Sequence, residues 1–230
     1  MRSEGNFKPS GRRNWIMRKN DIVVALGTCH RKREPGKQSP DGRLKECVYG
    51  REIASEVAVK LQAMGYKCVI DFMPLDLPKQ MQSPSAKQER LNELAMRVNF
   101  VNELCRQNGA KNVIYVSIHV DASGSDGKWH EPNGWSVRVS PKASSQSKKL
   151  AECLFDAAKQ HGLRVRFPSE KQKYWEQSLK VLNETNCPAV LTENLFQDNI
   201  NDVALLLSDE GRHIIERIHV EGIIRYIESL

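Results

Sequence analysis

Apolar residues along this chain fall into two alternating kinds of run. Short dense runs, with apolar residues consecutive or at every second position, read as strands. Longer runs, apolar at every third or fourth position, read as helices. The strand-like runs are Asp21–Leu26, Tyr66–Asp71, Val113–His119, Gly134–Ser140 and the segment Ala189-Val190-Leu191-Thr192-Glu193 entered through Cys187-Pro188. Between them, Ile53, Val57, Leu61 and Met64 predict a helix from about Glu46 to Met64, stopped by Gly65. Leu91, Leu94, Val98 and Val101 predict a second helix, opened by a Ser85/Gln88 capping box and ending near Gly109. A third runs from Ser144 to about His161, and the tail holds two more, Asp198–Leu206 and Asp209–Ile227, the last capped by Ser208. The stretch Asp71–Ser85 is a long irregular loop, Leu163–Gln177 is irregular, and Ser178–Leu182 is predicted as a short strand. Strands alternating with helices predict one α/β domain over residues 21–230, with a mostly parallel central sheet and helices on both faces.

The ends of three strand-like runs carry the chemistry. The first passes through Gly27-Thr28-Cys29 to His30, the third ends on His119, and the fifth ends on Glu193. In a parallel α/β sheet, ligand sites form outside the carboxyl ends of the strands, so the three side chains gather at one edge. Two imidazoles and a carboxylate there suggest a zinc hydrolase. Singly, each has a plainer role: a loop histidine at His30, a satisfied core histidine at His119. Glu193 follows a buried-looking run, where an unpaired carboxylate is costly.

Longer motifs extend the picture. They include Lys45-Glu46-Cys47-Val48, Ser117-Ile118-His119-Val120-Asp121-Ala122 and Glu193-Asn194-Leu195-Phe196-Gln197-Asp198-Asn199, with Arg97 and Asn102 spaced ahead of the His119 strand. In this order, over roughly residues 20 to 229, the chain resembles the zinc-dependent N-acetylmuramoyl-L-alanine amidases of the third type. That family carries a Gly-His after its first strand, a Glu opening the first helix, Ser-Ile-His-x-Asn/Asp-Ala, and a late Glu-x-x-Phe-x-x-Asn. The resemblance implies Zn2+ held by His30, Glu46 and His119, an open-site ligand set typical of catalytic zinc. It implies Glu193 as the base, taking a proton from water and passing it to the leaving nitrogen. The bond implied is the amide between N-acetylmuramic acid and the L-alanine of the peptidoglycan stem peptide. Apart from the resemblance, Glu46 reads equally as an acid favoured by the helix dipole.

The chain departs from the family where Gly27-Thr28-Cys29-His30-Arg31 replaces a Pro-Gly-His-Gly turn, and in the long Asp71–Ser85 loop. Candidate substrate contacts are His130 and Trp129, in the loop after the His119 strand, and Trp175; packing against the domain's own surface is the alternative for the aromatics. Arg97 and Asn102 are expected to brace the fold.

Bulk properties narrow the setting. At 230 residues the chain can bury a substantial core. No apolar stretch approaches the roughly 20 residues of a membrane helix. Residues 1–20 are basic and polar, with no apolar secretory core, and read as a flexible arm. The net charge of +7 favours anionic partners; of these, peptidoglycan and its envelope agree with the site. No nucleic-acid motif is visible, and no nucleic-acid partner is expected. Six cysteines in a core-rich chain read as reduced thiols. Side-chain alternation turns Cys29 away from a site that His30 faces. The expectation is a protein made in the cytoplasm that acts on the cell wall, as a phage lysin released through a membrane lesion, a bacterial autolysin or a spore enzyme. Alternatives are a zinc peptidase acting on another amide and a non-catalytic wall-binding module of the same fold.

Overall fold

Every residue of the first strand, β1 (Val23–Gly27), is buried, as expected of a strand covered by helices on both sides. The computed structural model describes residues 21–230, so the arm expected over residues 1–20 lies outside the described residues. The strands β1, β2 (Lys67–Ile70), β3 (Val113–Asp121), β4 (Ser136–Val139), β5 (Trp175–Glu176) and β6 (Ala189–Phe196) form one six-stranded sheet in the order β2-β1-β3-β6-β4-β5. Only the β4–β6 pair is antiparallel. The helices are α1 (Glu46–Ala63), α2 (Ala86–Asn108), α3 (Ser145–Gln160), α4 (Lys180–Asn183), α5 (Ile200–Leu207) and α6 (Asp209–Glu228). Among the described residues no helix is long and apolar enough to cross a membrane.

The two-residue period of the strands divides the core. Val24, Leu26, Ile114, Val116, Val137 and Val190 point to one face, against Ile53 and Val57 of α1, Leu150 and Leu154 of α3, and Ile215 and Ile218 of α6. Val23, Ala25, Val113, Tyr115, Ala189 and Leu191 point to the other, under Val98, Val101 and Cys105 of α2 and Val181 and Leu182 of α4. The predicted α/β architecture with helices on both faces is therefore the observed one.

Three local expectations change. The Ser85 hydroxyl accepts from the Gln88 backbone N–H, but the Gln88 side chain turns to Asn92 at 2.9 Å, so only half of the capping box forms. Helix α5 starts at Ile200, because the Asn199 side chain caps it by accepting from Asn201 and Asp202 N–H. Ser178–Leu182 is not a strand. Trp175 and Glu176 take the β4 edge instead, and Val181 and Leu182 enter the second core from the helical turn α4.

His219 of α6 is fully buried. Its Nδ1 lies 2.7 Å from the Ile215 carbonyl, and must donate to it. Its Nε2 lies 2.9 Å from the Thr192 hydroxyl on β6. Burial pushes its pKa down to about 4 from 6.5. The unfolded chain thus binds the proton more tightly, and stability complete above pH 6.5 is lost as pH falls towards 4. At ~1.4 kcal/mol per pH unit, this amounts to roughly 3 kcal/mol. Urea unfolding of chelator-treated protein across that range should show a shallower pH dependence for His219→Gln than for wild type.

Candidate active site

Register places the first pair of side chains. In the parallel β3–β6 ladder His119 pairs directly with Glu193, with Ser117 opposite Leu191 two residues earlier. Both side chains therefore stand side by side on the α2–α4 face. Neither strand ends there as the sequence suggested: β3 continues to Asp121 through a register shift, and β6 continues to Phe196.

His30 arrives from the loop after β1, in left-handed backbone (φ 31°) unusual for a residue with a Cβ. A buried arginine on α1 holds that turn. The Arg51 guanidinium donates to the carbonyls of Cys29, His30, Cys47, Met73 and Pro74 at 2.7–2.9 Å. The long Asp71–Ser85 loop is thereby tied beneath the His30 turn. Arg31, standing where the family has a small residue, pairs with Glu34, Glu89 and Glu93 and anchors the turn to α2.

Glu46 is the first residue of α1, where the helix dipole favours a carboxylate. The helix can approach this closely because residue 50 is glycine; a Cβ there would sit 2.5 Å from Cys29 Sγ and 3.2 Å from the Ile118 carbonyl oxygen. Glu46 Oε1 lies 3.0 Å from His119 Nδ1, 3.5 Å from His30 Nε2, and accepts from Val120 N–H at 3.2 Å. The His30 and His119 rings meet edge to face with centroids 5.0 Å apart. Among the described residues His30, Glu46 and His119 form the one group able to hold a metal ion, with ligand atoms within 4.8 Å of one another. Glu46 Oε2 is buried with no hydrogen-bond partner; the Lys37 ammonium lies 3.6 Å from it. Cys29 Sγ donates to the Glu46 carbonyl at 2.8 Å and is not part of this group.

Electrostatics separates these groups. Burial raises the Glu46 pKa, but His30, His119 and Lys37 outweigh it and hold the carboxyl well below its usual range. Burial pushes His119 down to about 4, keeping it neutral. Glu193 is pushed up by burial and then by Asp121 and Glu46, against the opposing charges of Arg138 and Lys37. The Arg138 Nε donates to Glu193 Oε1 at 3.1 Å and its Nη2 to Asp121 Oδ2 at 2.7 Å. A cavity on the same face, lined in part by His30, His119, Leu94, Leu179 and Leu191, adjoins the group.

Of the other expected residues, His130 Nε2 lies 2.8 Å from Asp126 Oδ1, and its backbone N–H donates to the Asp198 carbonyl. Trp129 packs against the larger core. Trp175 sits on β5 beside Arg138. None of the three belongs to the His30–Glu46–His119 group. Arg97 is buried against Asp71, Glu93 and Thr28, and Asn102 ties α2 to Glu184 and Asn186; both brace the fold. Sequence reading missed Arg51, Lys37 and Arg138. Arg138 alone had a visible signal: it falls on the polar phase of the Trp135/Val137/Val139 alternation, a charge inside a sheet.

The chain matches the N-acetylmuramoyl-L-alanine amidase family over residues 22–225, and belongs to it. It is 37% identical over 120 residues to the endolysin of Bacillus phage SPP1, covering 51% of this chain and 41% of that protein. It is 30% identical over 125 residues to a probable cell wall amidase, LytH, of Staphylococcus saprophyticus, covering 52% and 37%. The matched stretches thus span less than half of those relatives. The crystal structure of an N-acetylmuramoyl-L-alanine amidase from Clostridium difficile 630 shares the fold, with a TM-score of 0.73 at 21% identity over 91% of this chain and 98% of that one.

Because the folded state raises the Glu193 pKa above its ordinary 4.5, folding takes up a proton there. Stability of the metal-free protein accordingly falls as pH rises above that value. Glu193→Gln should unfold at higher denaturant than wild type at neutral and alkaline pH, and the two should converge in acid.

Proposed function

We propose that this chain is a zinc-dependent amidase that cleaves peptidoglycan between N-acetylmuramic acid and the L-alanine of the stem peptide, with residues 21–230 as its catalytic domain. The observation that carries the reading is the convergence of the His30 and His119 imidazoles on Oε1 of the buried Glu46 carboxylate, with Glu193 paired to His119 across the strands. The donor set fits the ion: two imidazoles, one of them held neutral, and one ionised carboxylate suit an open catalytic zinc site. Family membership supports the substrate.

His30, Glu46 and His119 would hold the zinc, which when bound would supply Lewis acidity toward the scissile carbonyl and toward water. Glu193 accepts the proton of the attacking water and delivers it to the departing L-alanine nitrogen. Its raised proton affinity suits the second half of that task, because the carboxyl holds the proton until the amine leaves. His119 and Glu193 keep a fixed separation, because both ride on paired strands rather than loops. The site of action is the cell wall.

Digestion of purified peptidoglycan followed by mass spectrometry tests the reading. Free stem peptides beginning at L-alanine, beside intact glycan strands, are expected from wild type and not after chelation. Glu193→Ala should retain zinc but lose roughly 10²–10⁴-fold in rate, whereas His119→Ala should lose stoichiometric zinc itself. Bound zinc without such peptides would move the substrate to another amide, and zinc retained in His119→Ala would refute the ligand set.

A further inference from the structure

We propose that Arg138 is a positioning residue for Glu193, and that Asp121 holds Arg138 to that task. The inference rests on the reading of Glu193 as the proton acceptor. One guanidinium spans two carboxylates on neighbouring strands: Nε reaches Glu193 Oε1 at 3.1 Å, and Nη2 reaches Asp121 Oδ2 at 2.7 Å. The span follows from register. Ser136 pairs with Glu193 and Arg138 with Leu191, so Arg138 lies on the same face, two residues along an antiparallel strand, and its side chain reaches back to the carboxylate. Its backbone is a strand interior bonded on both sides, to β6 and to β5, which gives the fork a rigid base.

A second guanidinium closes the arrangement. Arg166 Nη1 lies 3.4 Å from the same Asp121 oxygen, while its guanidinium stacks over the Phe196 ring at 4.6 Å. Asp121 is thus gripped from two sides and fixes the far end of the Arg138 fork. Among the described residues the hydrogen bonds to Glu193 go to Oε1. Oε2 is left for the water proton. A guanidinium cannot take up that proton itself, because it is already protonated throughout the working range. The fork therefore fixes which carboxylate oxygen is offered and in which plane, without competing for the proton.

A plainer role would be neutralisation of a buried carboxylate, and any cation at position 138 would serve that. Positioning needs the planar fork, since a lysine ammonium cannot span Glu193 and Asp121 in the same way. The experiment measures kcat and KM on a soluble muramyl-peptide for Arg138→Lys, Asp121→Asn, the double variant and Glu193→Ala, with zinc content and thermal melting for each. We expect Arg138→Lys and Asp121→Asn each to lose about tenfold or more in kcat, with KM within about twofold and zinc retained. The double variant should lose little more than either alone, because the two residues act as one unit. Wild-type kcat in both single variants overturns the inference, as does full rescue by lysine, which would leave charge alone. Loss of zinc or of melting temperature in step with activity overturns it too, by assigning a structural role. Activity surviving in Glu193→Ala would instead sink the reading of the base, an outcome separate from the Arg138 arms.

Discussion

The structure depends on the register of β3 against β6. His119 and Glu193 are exact cross-strand partners in a parallel ladder that is buried on both faces. A slip of β6 by one residue would turn Glu193 into the opposite core, among Val116 and the α1–α3–α6 layer, and leave His119 without it. Burial of the apolar phase of these strands therefore enforces the chemistry of the other phase. What stabilises the fold and what aligns the site are one constraint.

Around that pair the protein assembles charges that would each be costly alone. Glu46 is tolerable because it opens a helix, meets two imidazoles and lies near Lys37. Glu193 meets a single arginine, and is the carboxyl whose proton affinity rises. The contrast sorts two buried acids electrostatically: one is held ionised, the other has its proton affinity raised, as the proposed division between metal ligand and proton carrier requires. Buried arginines do the complementary work on the backbone. Arg51 gathers four carbonyls of the His30 turn and the long loop, and Arg97 joins Asp71 to α2. The loop that looked irregular in sequence is thus a shelf under the first imidazole, organised by side chains from outside it.

The departure at Arg31 resolves in the same way. A small residue after the histidine would leave the turn to set its own course. Here Arg31 folds under it and pairs with acids of α2, so the bulkier residue adds an anchor without moving His30 from the group.

The pattern of apolar positions was enough to determine the α/β class, the long helices, the order of the strands along the chain and the gathering of His30, His119 and Glu193 at one edge. These follow from periods of two and of about three and a half residues and from chain direction, which are local properties. The motif resemblance added Glu46. The sequence did not place the edge strand at Trp175–Glu176, because a two-residue strand exists only through its partner β4. Arg51 and Lys37 were invisible as site residues, and Arg138 showed only as a charge within a strand alternation, with nothing to say what it meets. Their partners lie up to 55 residues away in sequence, and a charged side chain has no periodicity that says which carboxylate or carbonyl it will meet. Apolar burial is read along the chain; charge pairing is decided only when distant segments share a low-dielectric interior.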